Sequence, residues 1–160
     1  MRPMSSSEFD AFRAREIRGY AAEQVRAGNW TEDESESRSA EQTDSLLPLG
    51  VETPGTLLLI AETPEGVQIG HLWVALQRQH DSDGGAWIYD IRIEAEHRGK
   101  GFGRALLLAA EEETARHGIS KIGLNVLGSN TTARSLYESN GYQVASTQMF
   151  KELPLRTSAG

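Results

Sequence analysis

His97-Arg98-Gly99-Lys100-Gly101-Phe102-Gly103-Arg104-Ala105-Leu106 places three glycines and three cations, Arg98, Lys100 and Arg104, at the start of an apolar, helix-periodic run. Glycine at alternate positions removes the Cβ atoms that would hold a ligand off the backbone, and it admits positive φ, so successive N–H groups can point at one anion. Phe102, Ala105, Leu106, Ala109 and Ala110 recur at helical spacing. The turn therefore feeds a helix whose positive dipole end faces that same anion. The stretch reads as an anion cradle.

Upstream, Ala86-Trp87-Ile88-Tyr89-Asp90-Ile91-Arg92-Ile93 is rich in β-branched and aromatic residues. Its alternation predicts a strand with Trp87, Tyr89, Ile91 and Ile93 on one face. Strand, glycine-rich turn and helix are thus consecutive, and the fold class is α/β. Neither of two familiar phosphate loops fits: the last glycine of a dinucleotide fingerprint is missing, and Lys100 is not followed by Ser or Thr as a P-loop requires. A surface turn with solvated cations is the plain alternative until the second half of the chain is read.

The chain has 160 residues, enough for one domain with a real core. Without cysteine it has no disulfide, thiol nucleophile or thiolate-bound metal, and it suits a reducing interior. Four scattered histidines show no metal-ligand spacing, so no metal is expected. No apolar run is long enough to span a membrane, and Met1-Arg2-Pro3-Met4-Ser5 lacks the apolar core of a secretion signal, which predicts a cytoplasmic protein with no membrane partner. A net charge of −7 argues against nucleic-acid binding, since a polyanion would be repelled everywhere but at the cradle.

Ser5 and Glu8 form a capping-box pattern before an apolar stripe of Phe9, Phe12, Ile17, Tyr20 and Val25, which predicts a helix ending near Gly28. Thr31 and Glu34 repeat the pattern ahead of a very polar segment reaching Leu46-Leu47, read as a helix in preference to a flexible lid. Leu57 to Ala61 and Val67 to Leu76, separated by Thr63-Pro64-Glu65-Gly66, predict a hairpin. Gln77 to Gly85 is a polar loop. The cradle helix runs to His117 with Gly118 as its stop, and Glu112 is placed to support Arg116. A strand over Lys121 to Val126, a short helix over Thr131 to Ser139 and a closing strand over Tyr142 to Lys151 follow, and the tail from Arg156 is expected to fray.

The cradle Arg98-Gly99-Lys100-Gly101-Phe102-Gly103 and the downstream Asn130-Thr131-Thr132-Ala133-Arg134-Ser135-Leu136-Tyr137-Glu138-Ser139-Asn140-Gly141-Tyr142 resemble, in this order and separation, the two signatures of the GNAT superfamily of acyl-CoA-dependent N-acyltransferases. The resemblance covers about residues 56 to 152. It implies a mixed, mostly antiparallel sheet with one splayed parallel strand pair, flanked by helices. A single domain over 1–155 would place a helical, acceptor-side region at 1–50 and the core at 56–152, with a tail at 156–160. The helical N-terminal third resembles a subgroup acting on small amines.

The resemblance also implies a donor, acetyl-CoA, with its pyrophosphate in the cradle of Arg98, Gly99, Lys100, Gly101, Phe102, Gly103 and Arg104. Its pantetheine arm would lie along Ile91, Arg92 and Ile93, where the strand parts from the one at Ile122 to Val126. Asn130 and Ala133 would contact CoA, although Asn after Gly128-Ser129 is also a standard helix N-cap. Tyr137 matches the family's general acid, the phenol that protonates the leaving thiolate. An aliphatic amine with a pKa near 10.4 is neutral at pH 7 in only about one part in a few thousand, so a proton acceptor is needed. Asp90 is the candidate base or substrate contact; a structural pairing with Arg92 or the N-terminal helices is the other reading. Glu94 reads as a solvated strand-end carboxylate. His71 is either a satisfied core histidine or one facing the acceptor cleft, and Trp30, Trp73, Trp87 and Tyr89 are either core or acceptor-pocket lining.

The leading expectation is acetyl transfer from acetyl-CoA to a primary amine of a small molecule, directly in a ternary complex, because no cysteine could carry an acyl-enzyme. Acetylation of a protein lysine or N-terminus, or a noncatalytic acyl-CoA sensor, are the alternatives. Family members often dimerise, so a homodimer is a further expectation.

Overall fold

Five strands form one sheet in the order β1 (Arg2–Pro3), β2 (Thr56–Glu62), β3 (Gln68–Ala75), β4 (Ala86–Ile93) and β5 (Ile122–Leu124), antiparallel except for the parallel β4–β5 pair. Helices α1 (Ser6–Arg26) and α2 (Glu32–Leu46) precede the hairpin, α3 (Phe102–Arg116) joins β4 to β5, and α4 (Thr131–Glu138) follows. The computed structural model describes residues 1–77, 85–151 and 153. The middle of the expected Gln77–Gly85 loop and the expected tail lie outside the described residues.

Strand alternation divides the core into two layers. Leu72 and Val74 of β3 pack with Ile88, Leu106, Leu107 and Ala110 on the α3 side of the sheet. Leu58 and Ile60 of β2 and Trp73 of β3 face the other way, toward Met4, Phe12 and Leu47. The long apolar stretch of β3 is thereby explained, because it is buried on both faces.

Both expected capping boxes form at the N-termini of α1 and α2. The polar segment is a helix because its buried stripe consists of small hydroxyl residues. Ser35, Ser39 and Thr43, four apart, face inward, and Ser39 Oγ donates to the carbonyl of Ile17 across the α1–α2 contact at 2.8 Å. Arg13 and Asp44 tie the same two helices with a bidentate pair at 2.6 Å. The Glu112–Arg116 pair forms at 2.7 Å, and Gly118 follows α3 with φ +75°.

Two expectations fail. Trp87, Tyr89, Ile91 and Ile93 do not share a face, because Trp73 pairs with Asp90 while Val74 pairs with Ile88, leaving Tyr89 as an extra residue in β4. This bulge reverses the alternation, so Tyr89 joins the cluster around Trp73 whereas Ile91 and Ile93 pack on the α3 side. The closing strand over Tyr142 to Lys151 is also absent: the segment carries no regular structure, and Val144, Met149 and Phe150 are exposed. β5 itself is limited to Ile122–Leu124, short of the expected Lys121 to Val126. An edge of three residues offers a further strand little ladder to extend.

Candidate active site

β4 and β5 pair only over Ala86–Ile122, Trp87–Gly123 and Ile88–Leu124. Beyond Ile88 the two strands part, and the expected splay is there. Trp87 seals its closed end, where a Cβ on Gly123 would come within 2.8 Å of the indole ring. In the open stretch the Arg92 carbonyl turns to β3, where it would clash with a Cβ on Gly70, and the Glu94 N–H donates to the Ile69 carbonyl. By alternation Ile91 and Ile93 present their backbone groups to the gap, and Arg92 does not.

The cradle closes the same end of β4. Gly99 and Gly101 have φ of +72° and +85°, conformations that favour glycine, and a Cβ on either would point into open space. Gly101 is the N-cap of α3 and offers no side chain to the first helical N–H groups, those of Phe102, Gly103 and Arg104. Arg98 Nε donates to the Ile93 carbonyl at 2.9 Å, and Lys100 Nζ to the Glu96 carbonyl at 2.9 Å, so both cations lie folded over the turn. Arg104 is used differently, donating to Asn140 Oδ1 and Ser139 Oγ and so tying α3 to the end of α4. The open backbone and positive φ fit a phosphate anion.

Asn130 is the N-cap of α4, its Oδ1 accepting from the Ala133 N–H at 3.1 Å. That cap aims the helix carrying Tyr137 back against the α3-side core, where the phenol ring lies 5.8 Å from that of Tyr142. Burial, and then the charge of Asp90, raise the Tyr137 phenol above its usual range. The raised value keeps the Tyr137 hydroxyl protonated at neutral pH.

The β4 bulge sets Asp90 on the α1 side of the sheet, and there it is neither paired simply with Arg92 nor left solvated. His71 Nε2 hydrogen-bonds Asp90 Oδ2, and Glu16 Oε1 of α1 lies 3.9 Å from the same nitrogen. The three ligating atoms lie within 4.8 Å of one another, a grouping that the scattered histidines of the sequence do not reveal. His71 is 0% exposed, Glu16 17% and Asp90 25% at the side chain. Arg15 faces His71 Nδ1 at 3.5 Å and pairs with Glu94 at 3.3 Å, so Glu94 is engaged and not merely solvated. Burial, then Asp90's charge, push the Glu16 carboxyl far above the ordinary range. Burial opposes ionisation of Asp90 too, but the hydrogen bonds of His71 and Glu16, with the charge of Arg92, hold it below its usual value. Glu16 escapes sequence reading because helix carboxylates are ordinarily solvated; the available signal was its register, one turn after buried Phe12.

Of the aromatic candidates, Trp73 and Tyr89 stack at 4.7 Å and border a cavity of about 310 Å³ that also reaches Leu46, Thr53 and Gln77. Trp30 instead packs on Tyr20 with Arg38 over its ring.

Comparison with known proteins agrees with this geometry. The acetyltransferase (GNAT) family matches residues 20–142. The uncharacterised N-acetyltransferase YycN of Bacillus subtilis is 34% identical over 151 residues, covering 94% of this chain and 96% of that protein. Its crystal structure superposes with a TM-score of 0.88 over 96% of this chain and 97% of that one. A mycothiol acetyltransferase from Kocuria rhizophila is 31% identical over 90 residues, 56% of this chain and 30% of that protein. An aminoglycoside 6'-N-acetyltransferase from Acinetobacter haemolyticus shares the fold at 15% identity, with a TM-score of 0.57 over 96% of this chain and 97% of that one. A family match over most of the chain, on a sheet that parts beside the two signatures, makes this chain a member of the acetyltransferase (GNAT) family and an N-acetyltransferase.

Proposed function

We propose that the chain transfers the acetyl group of acetyl-CoA to a primary amine of a small molecule, in a ternary complex and without an acyl-enzyme. The observation that carries this reading is the end of the β4–β5 ladder at Ile88 beside the glycine cradle, with Asp90 on the α1 side of β4 and the half-buried Tyr137 phenol against the α3-side core. The cradle from Arg98 to Gly103 holds the pyrophosphate, and Ile91 and Ile93 offer backbone groups to the pantetheine arm. The helical region at 1–50 covers the acceptor side, which supports a closed pocket over an open peptide groove. That a partly matching relative is named for mycothiol, a small molecule, supports the same choice.

The amine, having lost its ammonium proton to solvent, attacks the thioester carbonyl carbon in its neutral form. As the C–N bond forms, the nitrogen turns strongly acidic, and Asp90 takes its proton; a low-pKa carboxylate suffices at that stage. As the C–S bond breaks, Tyr137 donates its phenolic proton to the departing thiolate and is reprotonated by solvent.

Incubation with acetyl-CoA and an amine library, read by free-thiol release and product mass, tests the activity. Tyr137→Phe is expected to lower kcat by about a hundredfold, far more than it lowers CoA affinity. Full turnover in that variant would remove Tyr137 from the chemistry. CoA binding without thiol release across the library would turn the assignment toward a sensor.

A further inference from the structure

We propose that His71 is a positioning residue for acetyl transfer, holding Asp90 as an ionised carboxylate at the splay through its buried Nε2–H, with Glu16 as the neutral carboxyl that shares the contact. The inference rests on the reading above, in which Asp90 receives the proton of the amine.

The geometry fixes where the proton of His71 sits. A guanidinium can only donate, so Arg15 facing Nδ1 at 3.5 Å makes that nitrogen the acceptor and leaves the hydrogen on Nε2, directed at Asp90. The edge contact of Phe12, with ring centroids 5.2 Å apart, holds the imidazole plane. Across β3 and β4, His71 stands opposite Arg92 and one diagonal step from Asp90, so its place is set by the ladder. Glu16 brings a second carboxyl to the same N–H, and two carboxylates this close in a buried site do not both ionise. The charge resides on Asp90, as the opposed shifts of the two groups agree.

Asp90 meets His71 from β3 and Glu16 from α1, with Arg92 of β4 beside it. Arg15 of α1 faces His71 and Glu94, and Glu23 of α1 and Tyr137 of α4 feel the charge of Asp90 without touching it. With Arg15 and Arg92 beside it, the cluster suits a proton better than a divalent cation. A wholly structural role at this point would be met more cheaply by an apolar residue, as at Ile60, the partner of His71 on β2. Asp90 is the most exposed of the three, so the triad opens outward through it.

The test is the pH profile of kcat/KM for the amine, with CoA affinity measured in parallel. In the wild-type enzyme the acid limb should follow one proton, that of the amine itself. His71→Leu removes the donor, so Asp90 should protonate within the assayed range. A second proton should then enter the acid limb, and kcat/KM at neutral pH should drop at least tenfold at unchanged CoA affinity. His71→Gln retains an N–H and should restore the one-proton limb. A wild-type profile in His71→Leu, or equal loss in both variants with no change of profile, would overturn the proposal. If His71→Leu does not fold, proton NMR of the wild-type protein decides: a strongly downfield Nε2 proton, lost in Asp90→Asn, is expected, and its absence would refute the contact. Inactivation by EDTA with recovery on zinc would also overturn it. Wild-type turnover in Asp90→Asn would instead bring down the underlying assignment of Asp90, a result separable from any effect at His71.

Discussion

At the scale of single residues, the unusual group is Glu16, a carboxyl kept neutral by burial and by the charge of Asp90. Its affinity for a proton is higher in the folded chain than in the unfolded one. By linkage, its contribution to stability is complete below the ordinary glutamate value of about 4.3 and is lost as pH rises toward its folded value. Glu16→Gln keeps a neutral donor beside Asp90 and removes this loss. Thermal melts from acid to alkaline pH should show the variant equal to the wild type in acid and increasingly the more stable of the two as pH rises. Turnover at neutral pH should survive, since Glu16 acts there in its protonated form. A wild-type melting profile in Glu16→Gln would mean that Glu16 is ionised in the folded protein.

At the scale of elements, α2 shows how a helix with almost no apolar face can still dock. Its contact with α1 runs through Ser35, Ser39 and Thr43, and Ser39 spends its hydroxyl on the Ile17 carbonyl. Ser39→Ala should cost about 1 kcal/mol, a fall in Tm of roughly 2–4 °C in a chain of this length. An unchanged Tm would show that small size alone suits the position. Elements of this kind were legible where periodicity and caps coincide: both N-terminal helices, the hairpin, β4, α3 and α4 follow from the sequence within a residue or two. The bulge at Tyr89 was not, because one inserted residue leaves no compositional trace and shows only in the register against β3. The apolar residues of Val144 to Phe150 imitated a strand that has too short an edge to join. Likewise, the cradle and Tyr137 could be read from local order, whereas Glu16, His71 and Asp90 meet only through the packing of α1 on two strands.

At the scale of the whole molecule, the splay makes the sheet incomplete by design of its register: β4 is held by β3 throughout, but by β5 only up to Ile88. A ligand arm laid along Ile91 and Ile93 would take the place of the missing ladder and bridge the hairpin side to the α3–α4 side. Binding to the folded state alone stabilises by about 2.7 kcal/mol at a concentration one hundred times Kd. For a chain of this length that is a Tm increase of roughly 5–10 °C. CoA should produce this shift, and free pantetheine at the same concentration should produce much less, since it lacks the anion that the cradle binds. Gly101→Val puts a β-branched residue at a φ of +85°, so it should lower the Tm of the free protein and abolish the CoA-induced rise. Equal shifts with CoA and pantetheine would place the binding energy in the splay, and leave the glycines of the cradle as turn formers only.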